Sequence, residues 1–431
     1  MSTPLSRPSY AAVLRVPHAR RTFSAALVGR LSYGTVSLAL MLSVTRSTGS
    51  YAVAGLVMAL FGATSVFLSP YRASLVDRHG PRRALLPMAL LYAALLCVLA
   101  AACRPGTPEA VLAVTAGLAG ACTPPLGPTM RAVWAELLPD RLLLQRAYSV
   151  DGVAEELLFV SGPLLVGGIV AVASPVVGVV LSAALVAAGT LAFVTSPATA
   201  ALRPAGAGGR ATAPRPGGVA RGQGRALLQP VVVAAGVGVS VSAVDLLVVA
   251  FAGERGLGDG TVAWVLAALS VGSAVGGLVN GAVAWSSPTR ARLPFFAAGV
   301  GLCLAAAGLA PGLGTLVLAV MCAGLFVAPA LTTAYLIADE SVAPGFRVRA
   351  GAWCNTAVNA GMSAGAAVVG LLVERLPLPV CFAVAGAVAA AAALVPGYRR
   401  GAARPAGGAK GAAQSSSVSS ELPESSASSE S

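Results

Sequence analysis

Apolar runs of about 20 residues recur from Phe23 to Pro396, separated by short breaks of Gly, Pro, Ser and charge. An α-helix rises about 1.5 Å per residue, so each run is long enough to cross a hydrocarbon layer of roughly 30 Å. Inside that layer backbone N–H and C=O groups have no water to bond, and a helix satisfies them within the segment. The implied fold class is an all-α polytopic membrane protein. Composition agrees: 56% of the 431 residues are hydrophobic and 10% charged, against about a quarter charged in soluble domains.

Cutting the chain at Gly, Pro and charge clusters predicts twelve spans, near 23–45, 51–70, 84–103, 109–130, 147–173, 175–195, 228–252, 261–286, 293–310, 313–338, 350–373 and 379–396. An even count puts both termini on one side. With that side cytoplasmic, 24 of the 29 basic residues fall on inner segments, four (Arg46, Arg104, Arg255, Arg375) on outer loops, and Arg30 alone within the membrane. Cytoplasmic loops carry the excess of Lys and Arg, so this split supports both count and orientation. The longest polar break, rich in Gly, Pro and Arg, reads as a linker between two six-helix bundles. The expected organisation is a cytoplasmic segment 1–22, bundles 23–197 and 228–396, a linker 198–227 and a disordered tail 397–431 with too little apolar content to fold.

Other classes are disfavoured. The net charge of +13 is dispersed among loops instead of clustered on one soluble face, so no nucleic-acid partner is expected. Seven cysteines lie in apolar segments without CxxC or nearby His, which supports neither a metal site nor a disulfide framework. No cofactor motif and no nucleophile constellation is present, and an enzyme is not expected. The first apolar run lacks a clear cleavage site and should stay as an anchor. Trp134, Trp264, Trp285 and Trp353 fall near predicted helix ends, where interfacial aromatics belong.

The halves carry traces of one another. PRRALLP (81–87) resembles PTRARLP (288–294), and RAYSVDGVAEE (146–156) resembles RAGAWCNTAVNA (349–360), which matches Asp151 and Glu155 with Asn355 and Asn359 after a one-residue gap. Each match involves equivalent helices of the two bundles.

The turn between the second and third spans, ASLVDRHGPRRALL (73–86), closely resembles motif A of the major facilitator superfamily through Asp77, Arg78, Gly80, Arg82 and Arg83; Ala73 and Pro81 depart from the pattern. The resemblance extends to length, span count, linker and repeat, and implies that superfamily's fold of two six-helix bundles. It further implies that this loop latches the bundles in an outward-facing state. Physically, Asp77 can cap a helix start, Gly80 permits a sharp turn, and the arginines either pair with carboxylates or only enforce topology. In the fifth span SGPLLVGG (161–168) partly resembles motif C of the drug-proton antiporters through Gly162 and Pro163, which makes export the favoured direction; its alternative reading is a proline kink with small residues for packing.

Arg30 needs an anion or water at its depth. The fifth span holds Asp151, Glu155 and Glu156; Asp151 and Glu155 are four apart and share a face, while Glu156 points about 100° away. Arg30 and Glu155 lie at similar distances from the inner ends of their spans. Because the resemblance makes spans one and five neighbours, Arg30 is expected to pair with Glu155, with Asp151 or Glu156 adjacent. The patch is either a proton-coupling site or a static ion pair. Asp245, in the seventh span, either lines a cavity or sits hydrated near the interface. The glycines Gly272, Gly276, Gly277, Gly281, Gly361, Gly365, Gly55 and Gly62 mark places where helices approach or slide.

The expected function is secondary active transport by alternating access, since no nucleotide-binding loop is present: proton-coupled efflux of a small, partly apolar molecule across a bacterial plasma membrane, by a monomer with both termini cytoplasmic. The expected partners are the substrate, protons and the lipid bilayer. Import or facilitated diffusion of a metabolite is the alternative, and a non-transporting sensor of the same fold a remote one.

Overall fold

The computed structural model describes residues 10–202, 221–257 and 259–397. The predicted tail and most of the predicted linker lie outside them. A helix stands at each of the twelve expected positions, and among the described residues there is no strand. In chain order the helices are α1 (Tyr10–Arg15), α2 (Ala19–Thr48), α3 (Tyr51–Phe67), α4 (Ser69–His79), α5 (Pro81–Ala102), α6 (Glu109–Cys122), α7 (Leu126–Leu137), α8 (Arg141–Val172), α9 (Pro175–Val194), α10 (Arg221–Glu254), α11 (Asp259–Ala282), α12 (Thr289–Ala307), α13 (Leu313–Glu340), α14 (Arg347–Val373) and α15 (Leu378–Ala393). Among the described residues ten helices are long and apolar enough to cross a membrane, α6 and α7 counting together, and the bent pair α3–α4 makes an eleventh. The last predicted span is the shorter apolar helix α15.

Two spans are longer than expected because each is broken and continues. The second bends by 42° where α3 ends and Pro70 opens α4; proline in a first helical turn loses no intrahelical bond. The fourth breaks at Thr123, Pro124 and Pro125 and resumes as α7. A further difference is that α10 begins at Arg221, inside the segment read as linker. Between α4 and α5 the chain turns at Gly80 with φ 82° and ψ 160°, a conformation nearly closed to side chains with a Cβ.

The two bundles repeat one packing plan. α2 packs on α8 and α9 as α10 packs on α14 and α15; α3 packs on α6 as α11 on α13; α5 packs on α6 and α9 as α12 on α13 and α15. The bundles meet through α8 against α11 and α13, and through α4 and α7 against α14. Three apolar cores follow from this plan. One lies in the first bundle around Leu40, Phe61, Tyr92 and Leu99. A second lies in the other bundle around Leu247, Phe296, Ile337 and Phe382. The third crosses between bundles at the end carrying the α4–α5 turn and contains Phe23, Trp134, Tyr148, Leu336, Val348 and Cys354. Trp134 is therefore not an interfacial residue: it is fully buried against Phe23, ring centres 5.6 Å apart. Trp264 and Trp353 are exposed, while Trp285 lies under Arg292.

The glycines divide by role. Gly272 and Gly276 abut α13, and Gly361 and Gly365 abut α10, each contact lying within one bundle; a Cβ at any of them would fall within 2.6 Å of a facing carbonyl oxygen. Gly277 and Gly281 face α8 across the bundle boundary, whereas a Cβ on Gly55 or Gly62 would meet nothing within 4 Å.

Candidate functional site

Helix α8 presents Asp151 and Glu155 on one face, and two arginines from different helices meet that face. Arg30 of α2 places Nη1 2.6 Å from Asp151 Oδ1 and Nη2 2.9 Å from Glu155 Oε2. Arg131 of α7 places Nε 3.0 Å from Asp151 Oδ2 and Nη2 2.5 Å from Glu155 Oε2. Two guanidiniums and two carboxylates thus form a closed, charge-balanced quartet. Arg30, Asp151 and Arg131 are buried, and only Glu155 is partly open. In a medium where an isolated ion is very costly, each charge has two opposite neighbours.

Three helices have to come close for this. The approach of α2 to α8 is set by a glycine pair: a Cβ on Gly162 would stand 2.4 Å from the carbonyl carbon of Gly34, so only glycine fits there. α8 itself runs on through Pro163 without interruption. Arg131 also carries the quartet to the other bundle, because its guanidinium carbon lies 3.9 Å from the centre of the Tyr335 ring of α13.

A fourth span ending at residue 130 makes Arg131 a loop arginine; α7 continues past it, and Arg30 has a companion. Its signal was the Pro124–Pro125 break, which lets a helix restart. Glu156 is apart from the quartet, as its sequence angle implied. Ser273 of α11 donates to its Oε1 across the bundle boundary, and its other oxygen has no partner. Asp245 is exposed on α10 and has no hydrogen bond or ion pair among the described residues.

A cavity of about 270 Å³ adjoins the quartet. Arg30, Glu155, Arg72 and Tyr33 stand in its wall, with Met58, Phe61, Val66 and Phe159 giving apolar surface and Asn355 and Asn359 entering from α14 of the other bundle. Arg72, assigned from sequence to the inner loop, is buried at the α3–α4 bend. Its Nη1 donates to the carbonyls of Gly120 (2.7 Å) and Ala121 (3.0 Å) at the end of α6, and its Nη2 to Ser65 (2.5 Å) of α3.

At the end bearing the α4–α5 turn, polar contacts join the bundles. Asp77 accepts hydrogen bonds from the backbone N–H groups of Val348 (3.2 Å) and Arg349 (2.9 Å), in the first turn of α14, where a carboxylate meets unbonded donors and the positive end of the helix dipole. Arg347 pairs across the boundary with Glu136 (2.8 Å) and within its own bundle with Asp339 (3.2 Å), and Arg141 pairs across it with Glu340 (2.9 Å). Gln145 accepts from Arg292 (3.1 Å) and donates to the carbonyl of Asn280. Arg78, Arg82 and Arg83 take no part: they are exposed and have no ion pair or hydrogen bond among the described residues. Among the described residues every hydrogen bond and ion pair between bundles lies from this end up to the level of Glu156 and Ser273. Farther along, Leu157, Phe159 and Leu164 of α8 and Val368 and Leu371 of α14 are exposed.

Two bundles with a repeated packing plan, a cavity at their boundary and contacts gathered at one end define a transporter architecture. The sequence pattern of the Major Facilitator Superfamily matches residues 22–311, and the chain belongs to that family. No curated protein matches the chain in sequence. Solved structures that resemble it include the human organic anion transporter MFSD10 (TETRAN), with TM-score 0.67, 14% identity, and coverage of 88% of this chain and 99% of that one. The E. coli fucose:proton symporter FucP has TM-score 0.65 and 16% identity over 90% of this chain and 98% of its own. A bacterial homologue of the iron transporter ferroportin, in an outward-facing state, has TM-score 0.66 and 13% identity over 87% and 97%. At these identities the likeness shows the fold.

Proposed function

We propose that this chain is a proton-coupled exporter of a small, partly apolar compound, working as a monomer in a bacterial plasma membrane with both termini cytoplasmic, and that the conformation described here is the one open to the outside. The arginine-rich end, cytoplasmic by the distribution of basic loops, is the end at which the bundles are joined. The partial motif C around Gly162 and Pro163 supports the outward direction.

The observation that carries the reading is the placement of Glu156. Among the described residues it is the farthest along α8 to bond the other bundle, through Ser273, and it forms no ion pair with an arginine. Neutralising Glu155 breaks two ion pairs, whereas neutralising Glu156 breaks none. A proton taken up by Glu156 from outside, and surrendered when the bundles rock and the cytoplasmic end opens, couples the gradient to the reorientation. The quartet then serves as the fixed pivot that holds α2, α7 and α8 together.

The test is flux in proteoliposomes under an imposed pH gradient, with a panel of dyes and small metabolites. Wild-type protein is expected to move substrate against the proton flow, and Glu156→Gln to retain substrate exchange while losing its dependence on the gradient. Undiminished coupling in Glu156→Gln removes Glu156 from the mechanism. Uptake by energised cells, with no efflux from loaded ones, overturns export in favour of import.

A further inference from the structure

The charge of the cavity is not explained by the quartet. Of the ionic side chains in its wall, Arg30 and Glu155 are already neutralised by each other, by Asp151 and by Arg131. That leaves Arg72, which is 4% exposed and fixed by carbonyls of α3 and α6. Those carbonyls satisfy its two terminal nitrogens and hold its plane, but no carboxylate neutralises it, and its Nε has no hydrogen-bond partner. A buried guanidinium with an unused donor in a cavity wall is a charge-assisted site for an oxyanion.

The opposite wall adds a donor. Asn355 receives a long contact on Oδ1 from the Tyr335 hydroxyl (3.5 Å), which leaves its Nδ2 as the group with bonds to give, and Asn359 one turn on bonds back to the Asn355 carbonyl at 2.8 Å. The wall therefore offers cationic and amide N–H donors, while its one carboxylate, Glu155, is occupied by two arginines. Met58, Phe61, Val66 and Phe159 supply an apolar surround for a small body.

We propose that the cavity binds small organic monocarboxylates, with the carboxylate at Arg72 and an amide bond from Asn355 across the bundle boundary. Arg72 belongs to the first bundle and Asn355 to the second, so the ligand bridges the two parts that move. Since an anion entering this wall meets a fixed donor, whereas a neutral molecule of the same shape leaves Arg72 without a counter-charge, discrimination rests on charge more than on shape. This deepens the export reading by naming the substrate class, and it rests on that reading for the direction of movement but not for the binding itself.

The experiment is equilibrium binding to the purified full-length protein in detergent, by thermal shift and calorimetry, using benzoate and 1-naphthoate with benzamide and 1-naphthamide as neutral counterparts. The expected result is binding of the acids at least tenfold tighter than of the amides, a loss of that preference in Arg72→Gln, and a weaker but still acid-selective site in Asn355→Ala. Should Arg72→Gln fail to fold, the wild-type acid-to-amide ratio and Asn355→Ala still decide. Equal binding of acids and amides, binding of neither, or unchanged acid affinity in both variants overturns the proposal. The two readings fail separately: acid-selective binding that depends on Arg72, without gradient-driven flux, removes the coupling and leaves the site; gradient-driven flux of neutral compounds alone does the reverse.

Discussion

The two bundles share a packing plan and differ in what they put at equivalent places. Where the first bundle has Asp151 and Glu155 on α8, the second has Asn355 and Asn359 on α14. Both pairs stand at the cavity or directly behind it. The glycine contact is conserved in kind: Gly34 meets α8 at Leu158 and Gly162, and Gly238 of α10 meets α14 at Val358 and Met362. Charge is not. The first bundle encloses a complete ionic quartet, while the second presents neutral amides. The difference lies in how equivalent positions of one packing plan are filled: the acids of α8 are held by two arginines, whereas the amides of α14 stand in the cavity wall without an ionic partner.

The sharpest way to break this comparison is to unbalance the quartet. Arg30→Ala leaves the buried Asp151 and the partly open Glu155 with one guanidinium, and removing one partner of a buried pair typically destabilises by about 3–5 kcal/mol. Thermal unfolding of the purified protein should show that loss. Asn355→Ala, at the matching site of the second bundle, should fall below about 1.5 kcal/mol, since it removes neutral hydrogen bonds only. Equal losses at the two positions would mean that the asymmetry is one of residue names and not of energy. Arg30→Leu combined with Glu155→Leu should lose less than Arg30→Leu alone, because the pair of changes leaves one arginine with one acid.

Much of this was legible in the sequence, for a physical reason. Span length and loop charge are dictated by the bilayer, so the twelve positions and the need of Arg30 for an anion could be read from composition along the chain. The same rule hid Arg72 and Arg131. Each lies within two residues of a predicted span end, where an arginine counts as a loop residue, and only the restarts after Leu68 and after Pro125 carry it back into the protein. Trp134 differs from its sequence expectation for the same reason: a tryptophan beside an apparent helix end is interfacial only if the helix ends there, and α7 carries it into the core. The quartet's second arginine depends on α7 folding back against α8, a tertiary fact with no local signal beyond the Pro-Pro break.

Packing, unlike charge, should respond alike in both bundles. A Cβ on Gly162 would lie 2.4 Å from the Gly34 carbonyl carbon, and one on Gly238 would lie 2.2 Å from the Val358 carbonyl oxygen. Since backbone cannot swing aside as a side chain can, Gly162→Ala and Gly238→Ala should each cost about 1–3 kcal/mol, read by the same unfolding assay. A large loss at one and none at the other would show that the bundles are not held by one plan. Gly55→Ala, whose added methyl meets nothing within 4 Å, is the control and should cost nothing, gaining up to about 1 kcal/mol from the higher helix propensity of alanine.

The joints between bundles repeat the contrast of charge against amide on a smaller scale. Asp77 binds the start of α14 as an anion, whereas Gln145 binds α11 through the Asn280 carbonyl as an amide. Asp77→Asn keeps an acceptor and loses the charge, so the α14 joint should weaken by roughly 1 kcal/mol, the scale of a helix-cap and dipole interaction. Five- to tenfold more of the molecule should then be found with this end open, read as a longer distance between spin labels on the α4–α5 turn and the turn before α14. An unchanged distance distribution would assign the joint to the Arg347–Glu136 pair instead.

The smallest effect is expected where the sequence repeat is plainest. PRRALLP and PTRARLP match, yet Arg82 and Arg83 are exposed without partners among the described residues, while Arg290 donates to Ser341 at 2.7 Å and Arg292 reaches Gln145 of the other bundle at 3.1 Å. Arg82→Gln and Arg83→Gln should therefore change stability by less than about 0.5 kcal/mol, as surface substitutions do. Arg292→Gln should cost more, because it strips a cross-bundle hydrogen bond from a buried position. Since arginines on cytoplasmic loops also set orientation, the N-half pair should act before folding is complete: replacing Arg78, Arg82 and Arg83 together should lower the amount of correctly inserted protein, measured by reporter fusions, without shifting the melting temperature of what is inserted. A lowered melting temperature would show that these side chains hold the folded state after all, through contacts made when the two bundles exchange conformation.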